Sequence, residues 1–221
     1  MEFFIAEEVK QRIPHFKIGL IEYDHIQVSE SPQMLKGRLR FFQESIFFDL
    51  ENKNAAELDG IREWREIFKR VGTDPNRYRP SNEALFRRVQ KQQYLQSIHS
   101  AVDLNNFFSL KYEIPLGIYD RNKIKGSITL KIGENGDSYD AINGRQVNLE
   151  NKLVTCDANG PFGSPYVDSK RTAVQLSTTS ALHIVYLKPS MRTEEAKKLL
   201  EAMANMFVQI HGGDARQQIF A

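Results

Sequence analysis

The chain has 221 residues, enough to bury a sizeable core, and length alone permits one domain or two. Its 30 basic and 28 acidic residues leave a formal charge of +2, which excludes a general polycation and confines any nucleic-acid contact to a local patch. No apolar run approaches the roughly 20 residues of a membrane span, and the lone Cys156 excludes an internal disulfide.

The N-terminal stretch carries Glu2, Glu7 and Glu8 rather than a basic flank, so neither a signal peptide nor a membrane partner is expected, and the location expected is cytoplasmic. Residues 6–13 read as a short amphipathic helix ended by Pro14. Residues 16–28, rich in β-branched and aromatic side chains, read as a long strand. Ser31 before Pro32 reads as the cap of a helix reaching Leu50, with Leu35, Leu39, Phe42 and Ile46 on one stripe. A second helix is predicted over 58–71, ended by Gly72, and a third from Ser81 to about Ile98.

Residues 101–120, AVDLNNFFSLKYEIPLGIYD, mix polar side chains, a strongly apolar run, a proline and a glycine. Pro115 imposes extended geometry before it and Gly117 permits close backbone approach, so the stretch reads as a pocket wall. Strands are predicted at 127–132, 153–157, 172–178 and 181–187, with loops at 133–136, 143–144 and 159–165. Thr193 is predicted to cap a last amphipathic helix that Gly212 and Gly213 end. Helices first and strands later predict an α+β single domain, with helices packed on a mostly antiparallel sheet system.

Conventional catalytic patterns are missing. The five histidines show no metal-ligand spacing, there is no GxSxG elbow, and no phosphate-binding glycine loop occurs. Asp137 and Asp140 fit a solvated hairpin. Neither a metal nor a cofactor is expected. The basic segment 62–91 interleaves arginines with Trp64, Tyr78 and Phe86, a pattern that grips phosphates while an aromatic ring stacks on a base. The same arginines would equally cover the solvent faces of two helices, paired with Glu63, Glu66 and Glu83. The run 157–165, DANGPFGSP, either presents backbone N–H groups to a developing oxyanion or forms an ordinary tight loop.

The segments VDLNN…SL…PLGIYD, WREIFKRVGTDPNRYRPSNEALFRRV upstream of it and DANGPFGSPYVDSKRT downstream, whose order along the chain also agrees, resemble the editing domain of the phenylalanyl-tRNA synthetase beta subunit, the B-three/B-four domain. The likeness covers roughly the central half of the chain and implies a free-standing form of that domain. It divides the single domain 1–221 into an N-terminal region 1–60, an editing-domain-like core 61–188 and a C-terminal helix and tail 189–221. By resemblance, Asn105, Asn106 and Gly117 form the catalytic pocket and place water, while Pro115, Asp120, Gly160, Gly163 and Ser164 hold substrate. Arg77, Tyr78, Arg79, Arg88 and Arg171 are the RNA contacts that it implies.

That resemblance implies hydrolysis of the ester of a misacylated tRNA, with tRNA or aminoacyl-tRNA as partner and no DNA. Gly117 stands where bacterial synthetases carry a histidine, Asn105 where they carry a threonine, and 172–177 lacks the family's glutamate. Tyrosine specificity is therefore not implied, and the missing side chain at Gly117 is expected to enlarge the cavity. A non-catalytic RNA-binding module and a pocket for an amino acid or small metabolite remain alternatives.

Overall fold

A computed structural model describes all residues, 1–221, and shows one α+β domain. Its middle layer is a four-stranded antiparallel sheet, ordered β10 (Asp214–Phe220), β2 (Ile18–Asp24), β9 (Ala181–Tyr186), β3 (Leu116–Asp120). A second four-stranded sheet runs β1 (Phe3–Ile5), β4 (Ile128–Ile132), β7 (Leu153–Asp157), β8 (Gly160–Gly163), with only the β1–β4 pairing parallel. A small hairpin joins β5 (Ser138–Asp140) to β6 (Gln146–Asn148), which is the solvated hairpin expected around Asp137 and Asp140.

Side-chain alternation gives the middle sheet two buried faces. Ile18, Leu20, Tyr119, Leu182, Ile184 and Tyr186 point toward the second sheet, α1 (Glu7–Arg12) and α3 (Asp59–Val71). Ile21, Tyr23, Leu116, Ile118 and Val185 point toward α2 (Gln33–Asp49), α5 (Ser100–Tyr112) and α6 (Thr193–His211). Because β2 and β9 are covered on both sides, they read as continuous apolar runs rather than as alternating strands. No helix is long and apolar enough to cross a membrane.

The predicted helices at α2, α3 and α6 are present, and Gly72 ends α3 in the left-handed region at φ 95°. Several expectations need correction. Residues 101–112, read as pocket wall of mixed geometry, are the helix α5. Its apolar residues are buried on most sides, so it lacks the one-sided pattern that marks an amphipathic helix. The helix from Ser81, α4, ends at Gln90, because Gln92 turns left-handed (φ 56°) and the Gln93 N–H bonds back to the Arg88 carbonyl.

Residues 172–178 form no strand; a single bridge joins Ala173 to Tyr119, and Thr178 Oγ1 accepts from the Gln175 N–H. The 159–165 loop is instead largely β8, an edge strand hairpinned onto β7. Ser31 does not cap α2: its hydroxyl donates to Asp103 Oδ2 at 2.6 Å. Thr193 is the first residue of α6, preceded by Arg192, whose N–H donates to Glu195. Beyond Gly213, the polar tail DARQQIF becomes β10, registered from Asp214 opposite Asp24 to Phe220 opposite Ile18.

Three buried polar groups on the helix side find partners. Asp103 accepts from Ser31, Ser97 and the Ile98 N–H. His211 Nδ1 faces the Phe207 carbonyl at 2.9 Å, which can only accept, so its Nε2 takes the Ser100 hydroxyl proton at 2.8 Å. His183 Nδ1 meets Tyr23 Oη at 2.9 Å, and burial lowers this imidazole to about 3, keeping it neutral.

Candidate functional site

The proline–leucine–glycine bend leads into β3, where Gly117 lies opposite Ile184 of β9. Two residues on, Tyr119 emerges on the same face and leans back over the glycine. A Cβ built at Gly117 would fall inside the Tyr119 hydroxyl, and one at Gly163 would meet the same hydroxyl and Thr155 Oγ1. The expected enlarged cavity is therefore absent: the volume that Gly117 vacates is filled by the protein's own tyrosine. Both glycines are required by that close approach rather than by a turn.

Tyr119 is fully buried, set edge-on against Phe162 with centroids 5.0 Å apart, and its hydroxyl donates to Asp168 Oδ1 at 2.6 Å. The Ser164 N–H approaches the same oxygen at 3.4 Å, while Ser164 Oγ accepts from the Tyr166 N–H at 3.0 Å. Asp168 keeps some surface as a residue, but its carboxyl is turned away from water. Burial raises it to about 7, against the Tyr119 hydroxyl and Ser164 amide, which pull it down.

The structure brings Gly117, Gly163 and Ser164 around this tyrosine, but Asn105 and Asn106 sit on α5. That helix shares its core with Leu116 and Ile118, so it packs on the sheet face opposite to the one toward which Gly117 opens. Both asparagines are half-buried, and Asn105 Oδ1 is buried with no hydrogen-bond partner. Pro115 is buried beside the bend, its carbonyl accepting from the Tyr186 N–H. Asp120 is spent on structure, accepting from Thr178 Oγ1 at 2.9 Å and the Asn122 N–H at 3.1 Å.

Arg171 is a strut. It forks onto Asp157 at 3.0 and 2.8 Å and reaches the Gly160 carbonyl at 3.2 Å. Beside it lies a polar cleft of about 440 Å³ lined by Asp140, Asn159, Ser169 and Lys170 among others. No group of three or more His, Cys, Asp or Glu side chains is placed to hold a metal ion.

The arginines of 62–91 divide into two sets. Glu83, fully buried, accepts from Arg65 Nη1 on both carboxylate oxygens (3.1 and 3.0 Å) and from Arg87 Nε at 2.7 Å, with Arg79 at 4.0 Å. These are fastenings between α3, α4 and the loop that joins them. Arg77 and Arg88 are exposed and have no carboxylate within ion-pair distance.

Arg77 lies over the Tyr78 ring at 5.1 Å, and Lys152 covers that ring at 4.0 Å. Burial lowers the Lys152 ammonium, and the neighbouring Arg77 charge lowers it further. Tyr166 meets Tyr78 edge-on at 5.5 Å. Two bonds assemble this corner: Ser81 N–H to the Pro165 carbonyl (2.8 Å) and Thr73 hydroxyl to the Asn151 carbonyl (2.5 Å). Lys152 and Tyr166 were invisible to sequence reading, because nothing local marks them and only these long-range bonds bring them to Tyr78.

The B3/4 domain family profile matches residues 63–210. A Bacillus subtilis (strain 168) protein, the uncharacterized YhzB, is 33% identical over 213 residues, covering 96% of each chain. The phenylalanine–tRNA ligase beta subunit of Streptomyces avermitilis is 38% identical over 94 residues, which are 42% of this chain and 11% of that one. An N-terminal fragment of the Pyrococcus horikoshii phenylalanyl-tRNA synthetase beta subunit shares the fold at a TM-score of 0.50 and 15% identity, covering 97% of this chain and 50% of the fragment. With a profile spanning most of its length and a full-length relative, the chain belongs to the B3/4 domain family.

Proposed function

We propose that this protein binds RNA, with tRNA as the partner its family points to, through the corner formed by Arg77, Tyr78, Lys152 and Tyr166 and extended by Arg88. The observation that carries the reading is a pair of cations, Arg77 and Lys152, stacked on one tyrosine with no carboxylate in reach of Arg77. Phosphate supplies the missing counter-charge, and the tyrosine edges offer a surface for an unstacked base. The hollow beside Gly117 is closed by Tyr119, so the binding is proposed to proceed without ester hydrolysis.

Filter binding of a tRNA pool over a salt series tests this. Binding is expected to weaken steeply with salt, and misacylated tRNAs are expected to lose their esters no faster than in buffer. Salt-insensitive or absent binding overturns the reading. A second reading, deacylation in trans, is favoured by the unpartnered Asn105 Oδ1 and by the polar cleft beside Gly160. Ester loss above the buffer rate, abolished by Asn106→Ala or by Asp140→Asn, would establish it. A small amino acid or metabolite in that cleft, with no RNA retained, is the remaining outcome.

A further inference from the structure

The corner around Tyr78 also limits the kind of phosphate it takes, because its two cations are not equivalent. Arg77 is exposed, and its guanidinium makes no hydrogen bond or ion pair within the chain, only the contact over the Tyr78 ring at 5.1 Å. Lys152 is 6% exposed and lies 4.0 Å from the centroid of the same ring. Its ammonium donates one hydrogen bond, to the Glu150 carbonyl at 3.3 Å. An ammonium carries three N–H groups, so two remain unspent beneath the surface. The Glu150 carboxylate attracts Lys152 without forming an ion pair, and the repulsion from Arg77 outweighs that pull.

We infer that this corner recognises the terminal phosphate monoester of an RNA strand rather than a diester of its interior. The inference rests on the RNA reading above and narrows it. Access decides first. A diester is flanked by chain on both sides and meets only surface groups as it runs past. A terminal group projects from the strand and reaches an ammonium set below the surface. Charge decides in the same direction. An interior phosphate brings a single negative charge shared by its free oxygens. A terminal monoester brings a charge of about −1.5 to −2 and three strong acceptor oxygens, which answers two cations converging on one ring.

Tyr166 completes the arrangement. Both cations already sit on Tyr78, whereas Tyr166 stands at 88° to that ring, half-buried and with no cation over it. Its ring is therefore the one left for the first base behind the terminal phosphate. Two bonds hold it in place: the Pro165 carbonyl accepts from the Ser81 N–H at 2.8 Å, and the Tyr166 N–H donates to Ser164 Oγ at 3.0 Å.

Fluorescence anisotropy with three single-stranded RNAs of one sequence, labelled internally, tests the inference. One ends in hydroxyls at both termini, one carries a 5′-phosphate and one a 3′-phosphate. A phosphorylated strand is expected to bind about tenfold more tightly than the hydroxyl strand, and the strand that gains names the end recognised. The gain is expected to grow with rising pH through about 6, where a monoester loses its second proton. Lys152→Met is expected to abolish the gain while the weaker binding of the hydroxyl strand persists. Arg77→Gln, at an exposed site, is expected to shrink the gain about threefold and serves where Lys152→Met does not fold. Equal affinity for all three strands, or a gain that survives Lys152→Met, overturns the inference and leaves the RNA reading standing. No salt-sensitive binding by any strand removes both. Displacement of the phosphorylated strand by an equal concentration of adenosine 5′-monophosphate also overturns it, since the phosphate would then be recognised without the strand.

Discussion

The loop at residues 164–168 separates two regions made of the same ingredients, tyrosines beside charged groups, with opposite outcomes. On its inner side Tyr119 is sealed between Gly117 and Gly163, and its hydroxyl and the Asp168 carboxyl satisfy each other at 2.6 Å. On its outer side Tyr78 and Tyr166 meet edge-on beneath Arg77 and Lys152, and Arg77 has no carboxylate partner. The difference is one of unspent capacity. A buried pair that closes on itself stabilises a fold and offers nothing to a ligand, whereas an exposed arginine set beside a buried lysine leaves an electrostatic demand that an anion meets.

The largest expected effect comes from breaking the inner side. Tyr119→Ala removes a fully buried ring and strands the Asp168 carboxyl, and it should destabilise the fold by about 3–5 kcal/mol in urea unfolding. Tyr119→Phe keeps the ring and removes only the donor, so it should cost about 1–3 kcal/mol. RNA affinity should survive in Tyr119→Phe if the two regions are as separate as their contacts are. Ester hydrolysis gained on truncating Tyr119 would break the comparison, because it would make the tyrosine the sole barrier to chemistry.

Next in size is the boundary between fastened and free cations. Glu83→Gln removes the carboxylate that Arg65, Arg79 and Arg87 share. Those guanidinium groups keep 17%, 46% and 34% of their side-chain surface exposed, so water takes up part of the loss. Thermal unfolding should report about 1–3 kcal/mol, below the 3–5 typical of breaking a fully buried pair.

How much of this was legible in the sequence follows from which interactions are local. The α+β class, the elements β2, β4, β7, β9, α2, α3 and α6, and the Gly72 stop could be read because periodicity and caps are written within a few residues. Helix α5 could not, because a helix buried on nearly every side shows no amphipathic period. Strand β10 could not, because DARQQIF is polar and becomes a strand only by docking on β2. At the site, Gly117 was correctly singled out as a place of close approach. What approaches it, Tyr119 two residues along the same strand, depends on a rotamer set by Asp168 and Phe162, and no pattern encodes that.

A third expectation uses pH to set one sheet face against the other. The Asp168 carboxyl is raised to about 7, so between the ordinary carboxyl range and that value the folded chain holds a proton that the unfolded chain releases. Its contribution to stability is therefore present at low pH and lost as pH rises toward and past 7. His183 acts in the opposite sense: its folded value is lowered to about 3, so the unfolded chain takes up a proton below about 6.5 and the folded chain does not. That contribution is lost as pH falls. The two windows overlap between about pH 4 and 6.5 with opposite slopes and offset each other there, so Asp168→Asn should leave stability rising with pH across that range, and His183→Gln should leave it falling from about pH 4 to about 7. Each slope is bounded by about 1.4 kcal/mol per pH unit.

The smallest change in stability should come from the outer corner. Arg77→Gln removes an exposed charge that makes no ion pair, so the melting temperature should be unchanged, within the roughly 0.5 kcal/mol of an ordinary surface substitution. Its effect belongs to RNA binding: one lost phosphate contact should lower the slope of log affinity against log salt by about 0.7–0.9. Arg79→Gln is the informative control. Arg79 is as exposed as a surface arginine but leans on Glu83, so part of its charge is already answered within the chain. It should reduce the salt slope less than Arg77→Gln does. Equal slopes for the two variants would mean that the internal carboxylate does not distinguish fastened from free arginines, and the corner around Tyr78 would lose its claim to be the binding face.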